Sequence, residues 1–167
     1  EVPTQEGPPD DMFRASEGRW GSGDVRIVEV SLENEAGPTH LFQSGDKMTV
    51  RMRVTTAQPV DDFVFGISIF NAEGVCCYGT NTNLEKLTPV SMTGDGEVKL
   101  DIESLDLVEG TYKLDLAVHS REGRPYDYHR LLYTFRVKSQ IKDVGIYRPR
   151  HDWGFSSNIR FKKSSDD

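Results

Sequence analysis

Residues 62–82 read DFVFGISIFNAEGVCCYGTNT. Phe63, Phe65, Ile67 and Ile69 alternate with Val64, Gly66, Ser68 and Phe70, the period of two that sends successive side chains to opposite faces of a strand. Asn71-Ala72-Glu73-Gly74 then supplies the polar, φ-tolerant residues of a hairpin turn, and residues 75–79 return as a second strand. One face carries four large hydrophobes and needs a second layer to cover it. On the other, Gly66 and Ser68 leave a low surface that another molecule can approach closely.

The same alternation spreads outward from this hairpin. Val25, Ile27, Val28, Val30 and Leu32 mark a strand over residues 24–32, and Met48, Val50, Met52 and Val54 mark another over 47–56 with Arg51 and Arg53 on its polar face. Val98, Leu100 and Ile102 point inward from 97–104. Tyr112, Leu114, Leu116 and Val118 do so from 111–119, and Leu131, Tyr133, Phe135 and Val137 from 126–138. Residues 19–23, 33–39 and 81–95 read as a turn-like entry and two loops. Short strands separated by Gly, Pro and Asp turns, with no helical repeat, predict an all-β antiparallel two-sheet sandwich, immunoglobulin-like or jelly-roll.

Residues 1–18, rich in Pro, Gly and acids, are expected to be a linker, residues 19–155 the sandwich, and residues 156–167 a flexible tail. The first residue is Glu rather than Met, so a fragment or processed product is expected. Twenty Lys and Arg against 27 Asp and Glu give a formal charge of −7, which opposes attraction to phosphate backbones and argues against nucleic acid as a partner. The two cysteines, Cys76 and Cys77, are neighbours on a strand and point to opposite faces, an arrangement unsuited to a disulfide and compatible with a reducing cytoplasm.

No phosphate-binding loop, dinucleotide turn or nucleophile elbow appears, and His40, His119, His129 and His151 fall at no metal-ligand spacing, so neither cofactor nor metal is expected. Asp61-Asp62, or Asp101 with Glu103, could be read as a glycosidase pair, but acids on solvated strand faces are the plainer reading. A binding face is better supported. In immunoglobulin order the hairpin lies beside residues 111–119 and 126–138, so that Gly66, Ser68 and Ala117 form a shallow floor. Phe70, Tyr78, Lys113, Asp115, His119, Tyr128 and Arg130 would stand around it. Together with Ser68 they offer rings for the C–H faces of sugars and groups that donate to and accept from hydroxyls. The alternative is an ordinary solvated sheet face, or one covered by another protein.

Several short motifs add a resemblance. Arg19-Trp20-Gly21-Ser22-Gly23, Ser44-Gly45-Asp46, Phe65-Gly66, Asn71-Ala72-Glu73-Gly74-Val75, Tyr78-Gly79-Thr80-Asn81-Thr82, Glu109-Gly110-Thr111-Tyr112 and Arg150-His151-Asp152-Trp153-Gly154 occur in that order. They resemble the C-terminal, carbohydrate-binding domain of the ATPase subunit of ABC exporters for O-antigen polysaccharide, the Wzt type. The resemblance implies a noncatalytic sandwich that selects finished O-antigen for export. It also implies a cytoplasmic location, peripheral to the inner membrane, with a nucleotide-binding domain linking the sandwich to the exporter's transmembrane subunit. It further implies a homodimer exchanging a C-terminal strand, for which Val144-Gly145-Ile146-Tyr147 is the candidate.

Overall fold

The computed structural model describes residues 18–162, and within them the chain forms ten strands. These are β1 (Gly18–Trp20), β2 (Arg26–Asn34), β3 (Gly37–Pro38), β4 (Leu41–Gln43), β5 (Met48–Val60), β6 (Val64–Asn71), β7 (Cys76–Asn81), β8 (Met92–Ile102), β9 (Gly110–His119) and β10 (Pro125–Lys138). One sheet runs β1-β10-β9-β6-β7, with β4 pairing parallel to the far end of β10, and the other runs β3-β2-β5-β8. The architecture is therefore the predicted all-β two-sheet sandwich. The β10-β9-β6 neighbourhood is the immunoglobulin-like order, which places the central hairpin in one sheet with the two expected strands, β9 next to β6 and β10 beyond β9.

Alternation explains the core. Phe65, Ile67 and Ile69 of β6 meet Leu114, Leu116 and Val118 of β9 and, from the other layer, Met48, Val50, Met52 and Val54 of β5. Phe42 and Phe135 close one side edge to face, with ring centroids 5.8 Å apart. Arg51 and Arg53 lie on the outer face of β5, where they pair with Glu33, Glu97 and Glu29 as surface ion pairs.

Polar stretches hide additional pairing. β8 starts at Met92, inside the expected loop 81–95, because Thr55 donates to Asp95 and Thr56 accepts from the Gly94 amide, so hydroxyls complete the ladder that apolar alternation does not announce. The expected turn at residues 19–23 begins as a strand, with Trp20 opposite Tyr128. Gly21 then passes so close to β10 that a Cβ there would lie 2.3 Å from the Tyr126 carbonyl oxygen, which admits only glycine. The expected linker apart from Gly18, and residues 163–167 of the expected tail, lie outside the described residues.

Candidate functional site

The outer face of the β10-β9-β6-β7 sheet contains a hollow of about 130 Å³, lined by Gly66, Ser68, Asn81, Asp115, Ala117, His119 and Tyr128 among others. Its floor is small because Gly66 and Ser68 alternate with core-facing neighbours on β6, while Ala117 sits directly opposite Gly66 on β9. Gly79 of β7 pairs with Ser68, and a Cβ at Gly79 would come 2.8 Å from Ser68 Oγ. The shallow surface legible in the hairpin is thus a real depression, and β7 contributes to it through residues that were not among the expected contacts. The Gly79-Thr80-Asn81-Thr82 motif was the available signal.

One wall is held by a buried charge network. Asp115 accepts from the Leu131 amide at 2.9 Å through Oδ1, and through Oδ2 from Tyr128 OH at 3.0 Å and Arg130 Nη1 at 2.5 Å. Asp115 and Arg130 are 3% and 5% exposed, far below what a solvated sheet face would give two charged residues. The Arg130 guanidinium lies 4.5 Å over the Phe70 ring, and Tyr128 stacks on Trp20 at 4.7 Å. Burial first, then the negative charge and hydrogen bond of Asp115, push the Tyr128 hydroxyl well above its ordinary range, so it stays protonated and fixed. The β10–β9 register slips between His129 and Tyr133, and Leu131 within the slip takes φ of +54°, a left-handed conformation costly for leucine. Among the described residues, Arg130 Nε has no hydrogen-bond partner.

The expected residues divide accordingly. Ser68, Asp115, His119 and Tyr128 line the hollow. Phe70 and Arg130 lie beside it as buried support rather than as open contacts, and Lys113 stands opposite Phe70 with interactions of its own. Tyr78 is 54% exposed but pairs with Ile69, so it belongs to the opposite face of the sheet from the hollow. The bulge at Cys77 moved it there: two residues of β7 match one step of β6, a shift that simple alternation does not predict.

The inner face of β10 carries a second polar group. Asp127 takes a forked pair of bonds from Arg19 at 2.9 and 2.7 Å and the Ile27 amide at 2.8 Å, with His129 Nε2 3.0 Å away and His129 Nδ1 2.6 Å from Tyr133 OH. Burial alone would raise the Asp127 carboxyl, but the bonds from His129 and Arg19 outweigh it and hold it below the usual range. The carboxylates that could have been read as a hydrolytic pair are otherwise engaged, Asp62 by Arg121 and Asp101 by Thr49 and Lys99. No group of three or more His, Cys, Asp or Glu able to hold a metal occurs among the described residues.

With this geometry in place, the comparisons are specific. The family described as the Wzt C-terminal domain matches residues 16–149. The chain belongs to that family. A curated relative, the O-antigen export system ATP-binding protein RfbB of Myxococcus xanthus, is 27% identical over 139 residues, covering 83% of this chain and 31% of that protein. The chain thus spans about a third of that relative's length. A crystal structure of the C-terminal domain of wzt superposes with a TM-score of 0.76 at 20% identity, over 86% of this chain and 90% of that one, which establishes the shared fold. The Wzt-type motifs have structural explanations here: Gly21 clears the β10 backbone, Gly79 clears Ser68, and Asn81 and Thr82 accept from the Leu84 and Phe65 amides.

Proposed function

We propose that this Wzt C-terminal domain recognises O-antigen polysaccharide without catalysis, as part of a larger exporter ATPase subunit that selects the glycan for transport. The observation that carries this reading is the hollow. It combines a glycine and alanine floor with hydroxyl, amide and imidazole groups on a sheet face that is otherwise closed by stacked rings and a buried ion pair. Such a surface suits pyranose rings, whose C–H faces pack on apolar floors while their hydroxyls exchange hydrogen bonds with the walls. The RfbB likeness supports O-antigen as the polymer, and supports a transmembrane partner reached through an ATPase domain on the cytoplasmic side of the inner membrane.

The domain further acts as a homodimer in which the C-terminal segment pairs with a second copy. Among the described residues of one chain, residues 144–147 join the sandwich through a bridge from Tyr147 to Leu107, supported by Val108 donating to the Ile146 carbonyl and Arg148 to the Asp106 carbonyl. Val144 is 94% and Trp153 80% exposed, which leaves apolar surface for such pairing. Calorimetric titration of the purified domain with O-polysaccharide from its source tests recognition, with saturable binding expected. Absence of binding at millimolar repeat-unit concentration would refute it and favour a protein-covered face.

A further inference from the structure

The chemistry of the hollow goes beyond recognition of a glycan to the class of residue it takes. We propose that it seats one uncharged sugar residue and discriminates against a residue bearing a carboxylate or phosphate at that position. This rests on the glycan-binding reading and concerns the hollow alone.

Neither Lys nor Arg is among the hollow's lining residues, whereas Asp115 is. Arg130 balances Asp115 from beside the hollow, where it is buried over Phe70, and so it presents its charge to Asp115 rather than to a ligand. Lys113 stands outside the lining and is itself engaged. An anionic group placed here would meet a carboxylate with no lining Lys or Arg to receive it.

Acceptors, by contrast, abound. Three bonds reach Asp115, leaving one of its roughly four acceptor sites open. Tyr128 spends its proton on Asp115 and shows the hollow only lone pairs. His119 Nδ1 lies 2.6 Å from the Ser120 carbonyl oxygen, which accepts only, so Nδ1 carries a hydrogen, and in the singly protonated imidazole Nε2 is an acceptor. Asn81 Oδ1 accepts from the Leu84 amide, which leaves its NH₂ as a donor, and Ser68 Oγ, without a hydrogen bond among the described residues, can do either. A site richer in acceptors than donors matches hydroxyls, which bring protons. It mismatches carboxylates and phosphates, which are acceptors without protons to give.

The test is amide NMR on the labelled domain titrated with methyl glycosides of glucose, galactose, mannose and N-acetylglucosamine, beside methyl glycosides of glucuronic and galacturonic acid. At least one neutral glycoside is expected to shift the Gly66, Ser68 and Ala117 amides. The uronides should bind at least about tenfold more weakly at low salt, with the gap narrowing as salt screens Asp115. His119→Lys, which adds a cation to the lining, should also narrow it, and its own spectrum reports whether it folds. Uronides binding as well as neutral glycosides, a gap indifferent to salt, or no neutral glycoside acting on these amides overturns the proposal. If the source polysaccharide still binds in that case, the broader recognition reading survives. If the polysaccharide does not bind either, both fall.

Discussion

Breaking the Asp115–Arg130 pair should be among the most damaging changes available on the outer face. Their side chains are 4% and 6% exposed, so removing one partner strands an ion in a site with little water, at a typical cost of about 3–5 kcal/mol. Asp115→Ala also removes the acceptor of the Leu131 amide, a further penalty of about 1–3 kcal/mol if that amide stays dry. We expect Asp115→Ala near the upper end of the first range, or roughly 10–20 °C in Tm for a domain of this size. Arg130→Met should fall within about 3–5 kcal/mol because it strands the acid. The double variant Asp115→Leu/Arg130→Met removes both ions and should cost less than the two single variants added together, the remainder being the orphaned Leu131 amide and Tyr128 hydroxyl, at about 1–3 kcal/mol for each that stays dry. Urea unfolding followed by tryptophan fluorescence, with equal m values as the check on two-state behaviour, gives the cycle. Single variants that each cost under about 1 kcal/mol and simply add in the double would refute the reasoning, since the pair would then be effectively solvated.

Gly79→Ala should lower both stability and affinity for O-polysaccharide, because its Cβ would crowd Ser68 Oγ at 2.8 Å; Ser68→Gly in the same chain should restore stability, read as Tm, and unchanged Tm in the single variant would refute the crowding. The Asp127 carboxyl is held below its usual range, so its contribution to stability is present above the unfolded value of about 4 and is lost as pH falls through the lower folded value. Asp127→Asn should therefore flatten the acid limb of a stability–pH curve, and an unaltered limb counts against it. Deleting residues 144–162 should leave the sandwich folded by circular dichroism but monomeric by analytical ultracentrifugation. A dimer that persists would place the interface elsewhere.

Much of the layered plan was readable from alternation, because each strand that faces the other sheet repeats apolar residues at every second position. Met48, Val50, Met52 and Val54 show this without interruption, and all four are buried. What escaped was pairing carried by other means. Gly18–Trp20 and Leu41–Gln43 are too short to repeat, and the start of β8 is polar and bonded through threonine hydroxyls. The hollow followed from Gly66 and Ser68, but its walls did not follow completely. The bulge at Cys77 turned Tyr78 away, and Arg130, though on the expected face, is buried by its pairing with Asp115 and its seat over Phe70 rather than open. A bulge changes facing by a single residue and leaves no mark in hydropathy, which explains why side-chain direction was the part lost.

The two rims of the sandwich differ. Along one, β4 clasps the end of β10 and Phe42 plugs the gap against Phe135, so the layers are stitched like the spine of a book. Along the other, β7 and β8 are unjoined, and a cleft of about 350 Å³ enters between the pages. The hollow borrows one bank from each side: Tyr128 and Asp115 toward the spine, Asn81 of β7 on the loose fore-edge. Glycans that differ in bulk toward β7 should therefore be accommodated by a give in that margin, while variation toward Tyr128 meets a bank that does not yield.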